Sequence, residues 1–225
     1  MKPLLRNPVY QSLLLNDCHL GSGAGKARYF HPDVSPFAGF EEGYDEGFSD
    51  LYDQLPASRQ VLFATPQSLA RPDKWQVVQE IKGLQFLFEA ASIREDDSFQ
   101  PVPLQQQHVE EMKQLAALTK PGPFGPRTIE FGHYYGVFEN GRLAAMTGQR
   151  LHVNHFTEIS AVCTHPDFLG KGYASALVQH QVNLILSRQQ VPFLHVRADN
   201  QRAIAVYERL GFTLQGPMNF YVLKK

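Results

Sequence analysis

The chain has 225 residues, 43% of them hydrophobic, and its 21 Lys and Arg nearly balance 22 Asp and Glu for a formal net charge of −1. That length and apolar content support one large or two small cores, and the charge balance excludes the basic surface that nucleic-acid binding requires. Cys18 and Cys163 are too few for a disulfide framework and lack metal-ligand spacing. With no leader-like segment and no run of about 18 apolar residues, a cytoplasmic protein without a bound metal and without a membrane partner is expected.

The first hundred residues carry weak signals. Asn7-Pro8 reads as an N-cap and a first-turn proline, with Tyr10, Leu13 and Leu14 on one helix face. Gly21 to Lys26 invites a nucleotide-loop reading, but Leu20 stands where the first glycine is needed and Ala27 where a hydroxyl would hold Mg²⁺, so a loop is expected. Glu41, Glu42, Asp45, Glu46, Asp50 and Asp53 form an acidic run, read as a solvated face, with attraction of a cationic amine as the minority reading. Val61–Phe63, Trp75–Val78 and Leu84–Phe88 are strand-like and separated by Pro66, Pro72 and Gly83. Trp75 is expected in a core. Residues 1–95 are therefore read as an additional N-terminal α/β unit, with the polar stretch Ser92–Ser98 as linker and residues 96–225 as the second unit.

In that second unit, Val109, Met112, Leu115 and Leu118 predict a helix ending before Pro121. Three prolines and two glycines between Pro121 and Arg127 exclude regular structure there. Tyr134–Phe138, the turn pair Asn140-Gly141 and Arg142–Met146 predict a hairpin. It continues through Leu151 into a strand over Thr157–Thr164, which His165-Pro166-Asp167 ends. Then come Gly170-Lys171-Gly172 and apolar positions Ala174, Leu177, Val178, Val182 and Ile185 at helical spacing. A strand, a glycine turn and a helix start leave free amides at a positive helix end, which suits a phosphate. The third glycine and the distal acid of a dinucleotide site are missing. Pro192–Arg197 is a further short strand. Asn200 caps a last helix with Ala203, Ile204, Tyr207 and Leu210 on one face and Gly211 as its stop. Phe212–Leu214 and Phe220–Leu223 are expected to complete the same sheet.

Two of these segments, Leu169-Gly170-Lys171-Gly172-Tyr173-Ala174 and Asn200 to Phe212, resemble the hallmark motifs of the GNAT acyltransferase superfamily, R/Q-x-x-G-x-G/A and N-x-x-A-x-x-x-Y-x-x-x-G-F. The resemblance covers about residues 98–225. It implies an α/β (α+β) fold with a mixed, mostly antiparallel sheet flanked by helices. It also implies acetyl-CoA as co-substrate and transfer of an acetyl group to a primary amine by direct attack in a ternary complex. Val162, Cys163 and Thr164 would run beside the pantetheine arm. Leu169, Gly170, Lys171, Gly172, Tyr173 and Ala174 would hold the pyrophosphate, and Asn200, Ala203 and Tyr207 would complete the coenzyme site. Leu169 departs from the pattern, where Arg or Gln is usual.

Acyl transfer to an amine needs a proton acceptor, stabilisation of the carbonyl oxygen and help for the departing thiolate. By analogy Tyr207 would be the acid for the CoA sulfur. Glu158, on the central strand, and His195, five before Asn200, compete as base. Glu158 would need a pKa raised by partial burial, whereas a histidine titrates in the useful range unaided. A catalytically weak acyl-CoA-binding module, with the N-terminal unit as interaction surface, is the alternative. The amine acceptor is unidentified at this level, and a monomer or homodimer is expected.

Overall fold

A computed structural model describes residues 1–70, 72–94 and 100–225. The principal sheet has seven strands in the order β12-β6-β11-β10-β9-β8-β7. In chain order these are β6 (Gly83–Phe88), β7 (Val102–Pro103), β8 (Tyr135–Glu139), β9 (Arg142–Val153), β10 (Phe156–Thr164), β11 (Val191–Arg197) and β12 (Phe212–Pro217). Every pairing is antiparallel except β10 with β11. Two smaller sheets complete the architecture: β1 (Gly21–Ser22), β2 (Ala27–Phe30) and β3 (Ala38–Phe40) in one, β4 (Gln60–Thr65), β13 (Asn219–Lys224) and β5 (Gln76–Ile81) in the other, with β13 between β4 and β5. The helices are α1 (Pro8–Leu14), α2 (Gly47–Gln54), α3 (Val109–Thr119), α4 (Tyr173–Leu186) and α5 (Gln201–Arg209).

Strand alternation sends successive side chains to opposite faces, and here it sorts two apolar layers. Phe86, Phe88, Ile159, Leu194 and Val196 pack with Val178, Val182 and Ile185 of α4 and Ile204 and Tyr207 of α5. Leu87, Phe193, Ala161 and Cys163 instead face a layer built from Leu5, Val9, Leu13, Phe30, Phe37, Met112 and Leu115. The amino-terminal residues thus form the second covering layer of the main sheet. The principal sheet and the β4-β13-β5 sheet both cross residue 95: β6 lies between β11 and β12, and β13 pairs with β4 and β5. Residues 95–98 of the expected linker lie outside the described residues.

Several expectations meet specific geometry. The hairpin turns at Asn140 and Gly141, whose φ values of 52° and 75° are the left-handed pair that a two-residue turn needs. The last two strands do not share a sheet. β12 stays on the main sheet, while β13 leaves it because Tyr221 and Leu223 bury against Val61, Phe63 and Trp75. Trp75 is a core residue, its indole donating to the Phe48 carbonyl at 2.9 Å. Asn7 and Pro8 hold the N-cap and first-turn positions of α1, but the Asn7 side chain does not cap the helix; its amide donates to the Phe40 carbonyl at 2.7 Å and ties the helix to β3. The Gly23–Lys26 segment joins β1 to β2. Within the acidic run, Glu41 pairs with Lys26 and Glu42 with Arg6, leaving less charge to attract an amine.

Candidate acyl-coenzyme A site

The parallel pairing of β10 with β11 runs from Phe156↔Val191 to Ile159↔Leu194 and stops. On its other edge β10 slips one residue against β9 between Ser160 and Cys163, and Ala161 there has φ of 54°. A bulge of this kind bends the strand and disrupts the local ladder. The Ser160 carbonyl is retained by the Thr147 hydroxyl at 3.1 Å. Beyond Ile159 the two central strands are therefore no longer paired, and a cleft of about 560 Å³ opens beside them.

The cleft is lined by Val162, Cys163 and Thr164, by Leu169, Gly170, Gly172, Tyr173 and Ala174, and by Asn200, Ala203 and Tyr207. Eleven of the twelve residues that the motifs pointed to as coenzyme contacts meet in one concavity. Gly170 and Gly172 hold φ of 83° and 84°, which non-glycine residues adopt only under strain. Gly172 is the N-cap of α4 without a side-chain cap, so the first amides of that helix point outward at its positive end. The next helix is capped differently: the Asn200 side chain accepts from the Ala203 amide at 3.1 Å while Asn200 also lines the cleft.

Lys171 is the exception. Its ammonium pairs with Glu139 and lies 5.4 Å from the Phe168 ring centre, and it is not a lining residue. Glu139 also accepts from the Tyr173 hydroxyl, which fixes the bend from outside. Leu169 is exposed and lines the cleft with an apolar side chain where the motif usually carries a charge or an amide. The motif reading missed Phe168, Ser175, Arg202 and Arg209, all of which line the cleft. The last two were legible in principle, since residues seven apart fall on one helical stripe.

Tyr207 is buried and lines the cleft, and among the described residues its hydroxyl has no hydrogen-bond partner. Burial raises its pKa above the ordinary tyrosine value, with the neighbouring Cys163 adding to the shift. The phenol therefore stays protonated. Cys163 is buried as well, and its thiol is pushed up to about 11 by desolvation, so it is a poor nucleophile at neutral pH.

Glu158 and His195 leave the sheet on the opposite face. Glu158 precedes Ile159, and His195 sits between Leu194 and Val196, all three of which face α4 and α5. Glu158 is fully buried and receives Arg150 Nε and Nη2 at 2.8 and 2.7 Å. His195 Nδ1 lies 2.7 Å from the Glu158 carboxylate, and its Nε2 lies 2.9 Å from the Gln85 amide, which also donates to the Leu5 carbonyl. The raised pKa that Glu158 would need as a base is not what its surroundings produce. Desolvation alone would raise it, but the charge and hydrogen bonds of Arg150 and the contact with His195 bring it to about 2. Neither residue lines the cleft, and every proton-accepting atom of the pair is engaged.

The comparisons with known proteins agree with this geometry. The sequence model of FR47-like protein matches residues 134–221. A crystal structure of a GNAT-family protein from Novosphingobium aromaticivorans DSM 12444 superposes with a TM-score of 0.91 at 33% identity, covering 99% of this chain and 98% of that one. The chain belongs to the GNAT acetyltransferase family. The [Ribosomal protein bS18]-alanine N-acetyltransferase of Escherichia coli K12 is 33% identical over 79 residues, or 35% of this chain and 53% of that protein; the chain spans about half the length of the curated relatives it matches. A GCN5-related N-acetyltransferase from Kribbella flavida shares the fold at a TM-score of 0.65 and 11% identity over 95% of this chain and 93% of that one. The described residues contain no helix long and apolar enough to cross a membrane.

Proposed function

We propose that this GNAT protein transfers the acetyl group of acetyl-CoA to a primary amine by direct attack within a ternary complex. One observation carries the reading: the glycine bend at the head of α4, the stretch Val162–Thr164 that no longer pairs with β11, and the hydroxyl-bearing Tyr207 line a single cleft. Amides from Gly170 to Ala174 would grip the pyrophosphate, with the absent Cβ atoms allowing close approach. The main chain of Val162–Thr164 would pair with the pantetheine arm as an added strand does. The alanine N-acetyltransferase named among the relatives supports an amine as acceptor.

Residue roles follow from protonation and placement. Tyr207, held protonated, would donate a hydrogen bond to the sulfur as the C–S bond breaks, and this selectively stabilises the charge that develops in the transition state. The amine nitrogen forms the new C–N bond as the C–S bond breaks, its surplus proton passes to solvent, and the thiolate takes a proton from solvent to leave as CoA thiol. Glu158 and His195 act here as positioning groups that hold β9, β10, β11 and β6 together below the cleft. With no side-chain base, kcat/KM should rise with pH in step with the free-amine fraction and show no further inflection.

The test joins two measurements on the full chain. Calorimetry should show acetyl-CoA binding, and amine-dependent thiol release should follow it. Tyr207→Phe should retain binding and lose turnover. Wild-type turnover in that variant would remove Tyr207 from the chemistry, and absence of acetyl-CoA binding would remove the transferase reading altogether.

A further inference from the structure

On the side of β10 away from α4 and α5 lies a second, much smaller void of about 10 Å³, bounded by Gly122, Phe124, Tyr134, Arg150, Ser160 and Ala161. That space is close to one water molecule in size. It adjoins the bulge: Ser160 and Ala161 face it, and the next three residues of the strand line the coenzyme cleft. The two spaces thus adjoin one stretch of backbone where β10 has lost its parallel partner β11.

Its polar lining is unusual. The Tyr134 side chain is buried, yet among the described residues its hydroxyl has no hydrogen-bond partner. Arg150 spends Nε and Nη2 on Glu158, while its Nη1 points instead toward Gly122 of the proline-rich loop and has no partner among the described residues. Phe37 covers the guanidinium from another side at 4.9 Å from its ring centre. The Thr128 hydroxyl nearby is already satisfied, donating to the Val34 carbonyl and accepting from the Gly125 amide. Two donors therefore converge on a space that admits one oxygen atom. Neither donor is sealed from solvent, so each is open to an incoming oxygen.

Charge decides which oxygen. Arg150 is already neutralised by Glu158 at hydrogen-bonding distance, so a carboxylate entering here would bring a second negative charge next to a balanced pair. It would also need room for two oxygens. We infer that the acceptor amine carries a neutral carbonyl oxygen close to its nitrogen, as an α-amino amide does, and that Arg150 Nη1 and the Tyr134 hydroxyl receive that oxygen. The inference rests on the transferase reading for its acceptor and deepens it. The loop at Pro121–Phe124 must shift outward to admit the remainder of the acceptor.

Three matched amines test this: alaninamide, alanine and isopropylamine, with thiol release normalised to the unprotonated amine. Alaninamide should exceed both others in kcat/KM by about tenfold or more, the scale of one or two buried hydrogen bonds. Tyr134→Phe should lower the alaninamide value by about 3- to 10-fold and leave isopropylamine unchanged. Equal or faster use of isopropylamine or alanine, or an equal loss on all three in Tyr134→Phe, overturns the assignment. Calorimetry with N-acetylalaninamide on the CoA-loaded protein gives a readout free of turnover. Weaker binding to Tyr134→Phe supports the site even where no amine is acetylated, an outcome that would refute transfer instead. Identical binding by wild type and variant overturns it.

Discussion

The two halves of β10 behave as different materials. From Phe156 to Ile159 the strand has a partner on each edge, with the β9 register shifting at Glu158, and that one charged side chain is held by Arg150 and His195 with nothing left to offer a ligand. From Ser160 to Thr164 the parallel partner is gone, a bulge interrupts the other edge, and the residues border two cavities. Flanking strands on both sides engage the polar groups with one another. Interrupted pairing frees them for chemistry. The fold places rigidity and availability a few residues apart on one strand, so that the first can position the second.

Removing the rigid half should have the largest effect. Arg150→Met leaves the Glu158 carboxylate buried without its main partner, and loss of one member of such a pair costs about 3–5 kcal/mol of folding stability; urea unfolding would read it. The same network makes a pH prediction. The Glu158 pKa is depressed in the folded state from 4.5 to about 2. The stability it contributes is therefore complete above pH 4.5 and drains away as pH falls from there through about 2. Unfolding midpoints across that window should fall less steeply in Glu158→Gln than in wild type.

Perturbing the available half should spare stability and strike function. Tyr207→Phe should lower kcat by about 100-fold, the lower end of what proton-donating groups contribute, with acetyl-CoA affinity little changed by calorimetry. Gly170→Ala meets open space at the added Cβ but forces an L residue into φ of 83°. The expected cost is about 1–2 kcal/mol, read as weaker acetyl-CoA binding if the bend relaxes to escape it. Smallest should be Arg202→Ala: this exposed cleft residue should raise KM for acetyl-CoA only a few-fold and chiefly at low salt, because screening already weakens such contacts. An equal loss of stability from changes in both halves would erase the contrast.

Much of this was readable in advance, and the reasons differ from place to place. Gly170, Gly172, Asn200 and Tyr207 announce themselves because backbone geometry and capping demand particular residue types at fixed spacing. The hairpin at Asn140-Gly141 follows from the same logic. Partner choice at long range does not. Nothing in Gly83–Phe88 says that it will lie between β11 and β12, because an apolar strand fits any sheet position that buries both faces. Nor could the depressed pKa of Glu158 be foreseen, since Arg150 on the neighbouring strand reverses the effect of burial and no local pattern records that pairing. Arg150 and Tyr134 were overlooked for the same reason: each looks ordinary until the void between them is seen.

The course of β13 has a consequence for how the protein is made. β4 and β5 emerge from the ribosome early, yet neither pairs with the other, and the strand that joins them is Asn219–Lys224. Until that strand arrives, Val61, Phe63 and Trp75 lack the partners Tyr221 and Leu223 that bury them. Closure over such sequence separation is slow, and the waiting segment is open to wrong associations meanwhile. Assembly of the amino-terminal layer is thereby coupled to synthesis beyond the coenzyme motifs, so the nascent chain completes its fold only after every residue of the cleft has been translated.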